Sequence, residues 1–148
     1  MAEQQLSEQL AVVACIDPDA YGTGANNSDI IDMRYHDRVI FIVQAGDLGS
    51  SATLDFKVQE GAASNMSDAA DLSGKSITQL TQAGTDSNKQ AIVEVTGAEV
   101  AAVSGRYVRG VLTIGTATSD AGMIALADCT RRVPASALDL ASVDEIVA

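Results

Sequence analysis

The sequence predicts an all-β fold, an antiparallel β-sandwich of the jelly-roll type. Four short segments carry the signal: residues 38–44 (RVIFIVQ), 53–59 (TLDFKVQ), 91–95 (AIVEV) and 107–114 (YVRGVLTI). Each is rich in β-branched residues and is bounded by Gly, Ser, Asn or Asp, which is typical of half-buried strands. A parallel α/β fold needs amphipathic crossover helices, and no segment has that pattern.

The N-terminal half predicts three strands before residue 45. Residues 12–16 form the first, which should end at Pro18 because proline cannot donate to a strand ladder. Residues 21–29 (YGTGANNSD) consist of turn formers and predict a loop, followed by a short strand at 30–33. The unbroken apolar run in 38–44 predicts a strand that is buried on both faces.

Later strands follow the same logic. In residues 53–59, apolar and polar side chains alternate, so one face should be buried and the other solvated. The polar region 60–88 offers one weak strand, at 75–80. A helical turn is expected within 97–104, and residues 106–114 and 122–127 predict the final pair of strands.

Domain organisation follows from these strands and from Pro134. Residues 1–11 are predicted to be a flexible arm, 12–134 the jelly-roll domain, and 135–148 an acidic tail. Both terminal segments carry spaced aliphatic residues in polar surroundings, which favours ordering against a partner. The predicted partner contacts in these segments are Leu6, Leu10, Leu138, Leu140 and Ile146.

Composition and charge exclude several functions. Twenty acidic residues against nine basic ones give a net charge of -11, which repels phosphate backbones, so nucleic-acid binding is not expected. The acidity either solvates the surface or complements a basic partner. No run approaches the roughly 20 apolar residues of a membrane span, and the N-terminus lacks a secretory pattern. A protein made in the cytoplasm, without membrane contact, is predicted.

Catalytic and metal-binding patterns are weak. The single histidine, His36, is predicted to face solvent on a turn, and no nucleophile motif accompanies it, so an enzyme is not expected. Four carboxylates offer oxygen ligands for calcium, but they lack EF-hand spacing. We therefore interpret them as residues that stabilise turns, and no metal or cofactor is predicted. These carboxylates belong to Asp17, Asp19, Asp29 and Asp32.

The two cysteines leave one alternative open. Cys15 and Cys129 match no metal or redox spacing, and they lie near the opening and closing strands of the predicted domain. A disulfide between them is conceivable, although two buried thiols are favoured.

Tyr107 and Arg109 form a candidate contact pair. Strand alternation places them on one face, with Val108 on the other. Tyrosine and arginine are common energetic anchors of protein interfaces, so both are predicted partner contacts. The alternative is that Tyr107 lies in the core and Arg109 makes a salt bridge at its rim.

Several motifs resemble a group of tailed-bacteriophage and prophage proteins. They are IDMRYHDRVIFIVQAGDLGSSATLDFKVQE, LSGKSITQL, NKQAIVEV, GRYVRGVLTIG, AGMIALADCTRR and VPAS, and together they span roughly residues 28–135. The group is similar to the small jelly-roll cement, or decoration, proteins of phage heads. The departures are the polar stretch 61–73 and the acidic tail.

The resemblance implies a virion structural protein on the outer capsid surface. Such a protein binds the major capsid protein, commonly as a homotrimer, and bridges neighbouring capsid subunits. The alternatives are another virion part, such as a tail or connector protein, and a carbohydrate-binding module with a role in host attachment. A sugar platform needs exposed aromatic rings. The available rings are Tyr21, Tyr35, Phe41, Phe56 and Tyr107.

Overall fold

The structure, a computed structural model, describes residues 5–128 and 134–148, and this part of the chain contains ten strands. The strands are β1 Leu10–Tyr21, β2 Gly24–Asn27, β3 Ile31–Asp32, β4 Arg38–Ala45, β5 Thr53–Gly61, β6 Ala70–Ser76, β7 Leu80–Thr81, β8 Gln90–Thr96, β9 Tyr107–Gly115 and β10 Ser119–Asp128. A helix, α1, spans Gly97–Ala102 between β8 and β9. Two 3-10 helices, Leu6–Glu8 and Ala135–Ala137, lie outside the strands.

The strands form two antiparallel sheets. Sheet A has the order β1-β10-β4-β8, and sheet B has the order β2-β9-β5-β6, with β3 beside β9 and β7 beside β5. The first strand pairs with the last along its whole length, from Leu10 opposite Asp128 to Tyr21 opposite Ser119. Eight main strands divided in this way make a jelly roll, which confirms the predicted fold class.

The core lies between the inner faces of the sheets. Phe41 of β4 and Phe56 of β5 are fully buried, with ring centroids 5.8 Å apart. Gly110 of β9 packs beside them, because a Cβ atom at this position would come within 2.7 Å of the Phe56 ring. The remaining core is aliphatic, mostly valine, alanine and leucine. Two aromatic rings and one glycine therefore determine how closely the sheets approach at this point.

The prediction that β4 is buried on both faces is wrong. Val39, Phe41 and Val43 are at most 1% exposed, whereas Ile40 and Ile42 are half-buried. The inner side chains pack against sheet B, while Ile40 and Ile42 lie on the outer face of sheet A, which the described residues leave partly solvated. The apolar run thus supplies one core face and one partly solvated face.

The loop predicted for residues 21–29 is also partly wrong. β1 continues through Pro18 to Tyr21, and residues Gly24–Asn27 form β2. Proline is tolerated because β1 is an edge strand, and the pairing register shifts between Ile16 and Asp19. Turn-forming residues here extend the sheets rather than interrupting them.

The helical turn predicted within 97–104 is confirmed as α1. Thr96 accepts a hydrogen bond from the Glu99 amide, and the Glu99 side chain accepts one from the Thr96 amide, which makes a capping box. Val100, 1% exposed, anchors the helix to the core. No helix among the described residues is long and apolar enough to cross a membrane.

Candidate partner-binding surface

The two terminal segments lie together beside β1. The 3-10 helices Leu6–Glu8 and Ala135–Ala137 contact each other, and Ser136 Oγ donates a hydrogen bond to the Glu8 carboxylate at 3.3 Å. Ala135 is fully buried, and Leu138 packs against the core. Segments from opposite ends of the chain therefore form one continuous surface.

A short clasp joins the C-terminal segment to the free edge of β1. The Val12 amide donates to Asp139 Oδ1 at 2.6 Å, and the Leu140 amide donates to the Val12 carbonyl at 2.8 Å. The amide and the carbonyl of Val12 that face away from β10 therefore both have hydrogen-bond partners, one a side chain and one a backbone amide. Asp139 was not singled out in the sequence, where it is one acid among twenty.

Aliphatic side chains project from this region into solvent. Leu6 is 67% exposed, Ile146 is 44% exposed and Val147 is 87% exposed. Asp144 and Glu145 directly precede Ile146 and Val147 in the sequence, so these two apolar side chains lie next to carboxylates along the chain. We name the set Leu6, Glu8, Leu140, Asp144, Glu145, Ile146 and Val147 the terminal surface. The predicted contact Leu10 starts β1 next to it and is half-buried.

The other predicted contacts lie on the outer face of sheet B. Arg109 Nε and Nη2 both donate to Gln59 Oε1 of the neighbouring strand, at 3.1 and 2.8 Å. The Tyr107 ring is half-buried, and the Arg106 guanidinium lies 4.9 Å from its centroid. Arg109 thus pairs with an amide rather than the carboxylate of the salt-bridge alternative. The structure does not bring this pair together with the terminal surface.

An ion pair organises the start of β9. Arg106 donates to both carboxylate oxygens of Asp32, through Nε at 3.0 Å and Nη2 at 2.6 Å. These bonds hold the pKa of Asp32 below its usual value, because they stabilise the ionised carboxylate. Asp32 lies on β3 and therefore fastens this short strand to β9.

The prediction of a solvent-facing His36 is wrong. The side chain is 5% exposed, and Nδ1 lies 2.7 Å from the carbonyl oxygen of Asp128. Because a carbonyl only accepts, Nδ1 carries the proton. The Asp128 carboxylate accepts hydrogen bonds from the amides of Asp37 and Arg38, so it draws this turn against the end of β10. His36 serves here as a buried anchor.

Of the other candidate calcium ligands, Asp17 and Asp29 lie beside Cys15, and Asp19 accepts a hydrogen bond from the neighbouring Ala20 amide. Cys15 Sγ donates to Asp17 Oδ1 at 3.4 Å, and its amide donates to Asp29 Oδ2 at 3.1 Å. Desolvation and then these carboxylates raise the pKa of the Cys15 thiol to about 11, so it is a poor nucleophile at neutral pH. Within residues 5–128 and 134–148, no group of three or more His, Cys, Asp or Glu could hold a metal ion. Cys15 is a half-buried free thiol, whereas Cys129 lies outside the described residues.

Aromatic rings do not form a platform in the described chain. Phe41 and Phe56 are buried in the core. Tyr35 is 44% exposed, but the Arg34 guanidinium lies 4.6 Å from its ring centroid. Tyr107 is covered by Arg106 in the same way. Tyr21 is half-buried, and its hydroxyl donates to the Asp17 carbonyl oxygen at 2.5 Å. This placement gives no support to the carbohydrate-binding alternative, which requires ring faces open to a sugar.

Comparison with known proteins gives only distant likenesses. No protein-family model matches the chain, and no curated protein matches it. Among solved structures, PirA is 13% identical, with a TM-score of 0.41 covering 75% of this chain and 92% of PirA. A protein of infectious bursal disease virus, Gx strain, is 11% identical, with a TM-score of 0.45 covering 88% of this chain and 34% of its own. A protein of Bacillus endospore appendages, described as disulfide-linked pili, is 11% identical, with a TM-score of 0.33 covering 88% and 99%.

Proposed function

We propose that this protein is a capsid decoration protein that binds the outside of a phage head and stabilises contacts between major capsid subunits. Its role is structural, without a catalytic centre, cofactor or metal. The motif resemblance supports this proposal, because the matching segments build much of both sheets, including β4, β5, β8, β9 and β10.

The observation that carries the proposal is the terminal surface. Two segments more than 120 residues apart lie side by side through the Ser136–Glu8 hydrogen bond, for which the sequence separation is 128. Leu6, Ile146 and Val147 remain exposed there although the core offers apolar surroundings nearby. Exposed aliphatic groups on segments that are docked to a rigid scaffold are typical of a protein-binding surface.

The surrounding charge suggests which surface is recognised. The chain carries a net charge of -11, and the C-terminal segment contributes Asp139, Asp144 and Glu145. A basic patch on the capsid subunit would attract these groups, and such attraction weakens with added salt. Self-association as a homotrimer, as in the cement proteins that the motifs resemble, is part of the same proposal.

The test is binding to empty heads assembled from the major capsid protein that the same genome encodes. Leu6→Ser and Ile146→Ser should each weaken binding about tenfold or more, because burying such a side chain contributes about 1.5–3 kcal/mol. Val103→Ser is the matched control, since Val103 is 52% exposed but lies beyond α1, away from the terminal surface. Co-sedimentation of labelled protein with heads measures the affinity. Undiminished binding by both terminal variants would contradict the assignment.

A further inference from the structure

Among the described strands, one edge of the sandwich is less protected than the others. At the outer edge of sheet A, β1 contains Pro18 and two register shifts, and its free side is bonded to Asp139, Leu140 and Asp29. At the edges of sheet B, β2 has only four residues, and β6 has a register shift and Gly74 at a φ of +75°. Short, kinked or covered edges prevent strands from pairing with other chains.

The edge strand β8 is regular in comparison, and Lys75 covers it at the Glu94 carbonyl. It pairs with β4 without a register shift, from Thr96 opposite Arg38 to Gln90 opposite Gln44. Its sequence, QAIVEVT, contains no proline or glycine. Ile92 at its centre is 66% exposed. A groove of about 500 Å³ runs beside this strand, between β8 and the Gly74–Ile77 segment.

The backbone of β8 directs hydrogen-bonding groups into that groove. The Lys89 carbonyl accepts from Ala45 beside β4, and the Gly97 amide donates to Asp37 on the same side. The Glu94 carbonyl instead accepts from Lys75 Nζ at 2.7 Å, on the opposite side. Since successive residues of a strand alternate in direction, the amide and carbonyl of Gln90 and Ile92 also point away from β4.

We propose that β8 pairs antiparallel with β8 of a second copy of this chain, about a two-fold axis at Ile92. In this register Ile92 faces Ile92 of the second copy, and each Gln90 faces a Glu94. The Gln90 side-chain amide then donates to the Glu94 carboxylate, and the two exposed isoleucines cover each other. The pairing requires Lys75 to leave the Glu94 carbonyl, which then accepts from the backbone amide of Gln90 in the second copy. Moving the axis to Glu94 would place two carboxylates opposite each other, and moving it to Val93 would place Glu94 opposite Ile92. Among these three registers the charge pattern favours the axis at Ile92, and a second copy supplies a Glu94 opposite each Gln90.

This contact does not rest on the proposed function, because it needs no capsid. An isologous two-fold contact joins two chains and cannot close a ring of three. In a protein that also forms trimers, it would join chains of neighbouring trimers. The two four-stranded A sheets would become one eight-stranded sheet across the axis.

Sedimentation equilibrium of the full chain, without heads, tests the pairing. The wild-type protein should associate reversibly through this two-fold contact, as a pair of monomers or a pair of trimers, and Ile92→Lys should weaken the pairing at least tenfold, because it places two ammonium groups at the axis. Ile124→Lys is the matched control. Ile124 is 40% exposed on the same outer face, but it lies on β10, two strands from the edge, so its effect should stay within twofold.

Cross-linking gives a second readout that does not depend on affinity. In a Cys15→Ser, Cys129→Ser background, Ile92→Cys should oxidise to a covalent dimer. Hydrogen-bonded antiparallel partners have Cα atoms about 5.5 Å apart, within disulfide range. Ile124→Cys should stay monomeric under the same conditions. A protein that is monomeric at all concentrations, association unaffected by Ile92→Lys, or equal cross-linking at both positions would overturn the proposal.

Discussion

Gly110 limits how large a side chain the centre of the sandwich accepts. A methyl group there would meet the Phe56 ring at 2.7 Å, and the ring cannot retreat because Phe41 packs 5.8 Å away. We expect Gly110→Ala to lower the free energy of unfolding by about 1–3 kcal/mol through overpacking. Gly22→Ala, at a position with no atom within 4 Å, should be close to neutral. Urea denaturation of both variants measures the difference, and equal stabilities would contradict this account.

The ion pair of Asp32 should make the folding stability of the protein depend on pH. Its pKa is lowered by Arg106, so the folded state gains stability above the ordinary value of 3.8, and this gain is lost as the pH falls through the lowered pKa. Asp32→Asn removes the titrating group. We therefore expect the variant to have a lower melting temperature at pH 7, and the difference from wild type to shrink as the pH falls from about 4 to 2. A difference that does not change with pH would mean that the ion pair is not the cause.

Single residues show where sequence reasoning reaches its limit. The alternation of Leu54, Phe56 and Val58 correctly indicates the buried face of β5, because period two follows from strand geometry alone. His36 was assigned to solvent because its neighbours in the sequence are charged. Its burial depends on Asp128, 92 positions away, which no local pattern reveals.

The terminal elements divide into a part that belongs to the fold and a part that is free to contact partners. Deleting residues 135–148 removes Ala135, Leu138 and the clasp on Val12, and should cost about 2–4 kcal/mol of stability. Deleting only residues 141–148 keeps those contacts and should leave stability nearly unchanged. Thermal unfolding of the two truncations separates the roles. Equal destabilisation by both would show that the clasp contributes little.

At the scale of elements, the sequence predicts the strands with a strong local preference better than those without one. β4, β5, β8 and β9 are rich in apolar β-branched residues, and their core contacts agree with that local preference. β2 was missed because Gly, Asn and Ala signal a turn, and its strand form comes from pairing with β9. Tertiary pairing decides the structure where local preference is weak.

We expect chelators to leave the stability of the protein unchanged. Among the candidate metal ligands, Asp17 and Asp29 bond to Cys15, and Asp32 is committed to Arg106. We expect the melting temperature to be the same with EDTA and with added calcium, measured by differential scanning calorimetry. A fall of several degrees in EDTA that calcium reverses would show a metal site that these contacts do not explain.

Fold class could be inferred from the whole sequence because it depends on strand number and turn spacing. The terminal surface could be inferred only in part: its aliphatic residues stand out in a polar background, as with Leu6 and Ile146. That the two termini meet follows from the pairing of β1 with β10, which sequence alone does not specify. The edge position of β8 has the same origin, because being an edge is a property of the sheet order.

The pairing of the first strand with the last also determines how the molecule responds to force. Leu10 faces Asp128, so a pull on the two ends enters β1 and β10 at the same end of the pair. The hydrogen bonds between β1 and β10 would then break one after another from that end, instead of sharing the force. The hydrogen bonds of Asp139 and Leu140 with Val12 lie at that end, and they must break before β1 separates from β10. A tail held by a partner would thus transmit tension first through these two hydrogen bonds and then through the packing of Leu138 and Ala135, so these contacts together set the load at which the sandwich begins to peel.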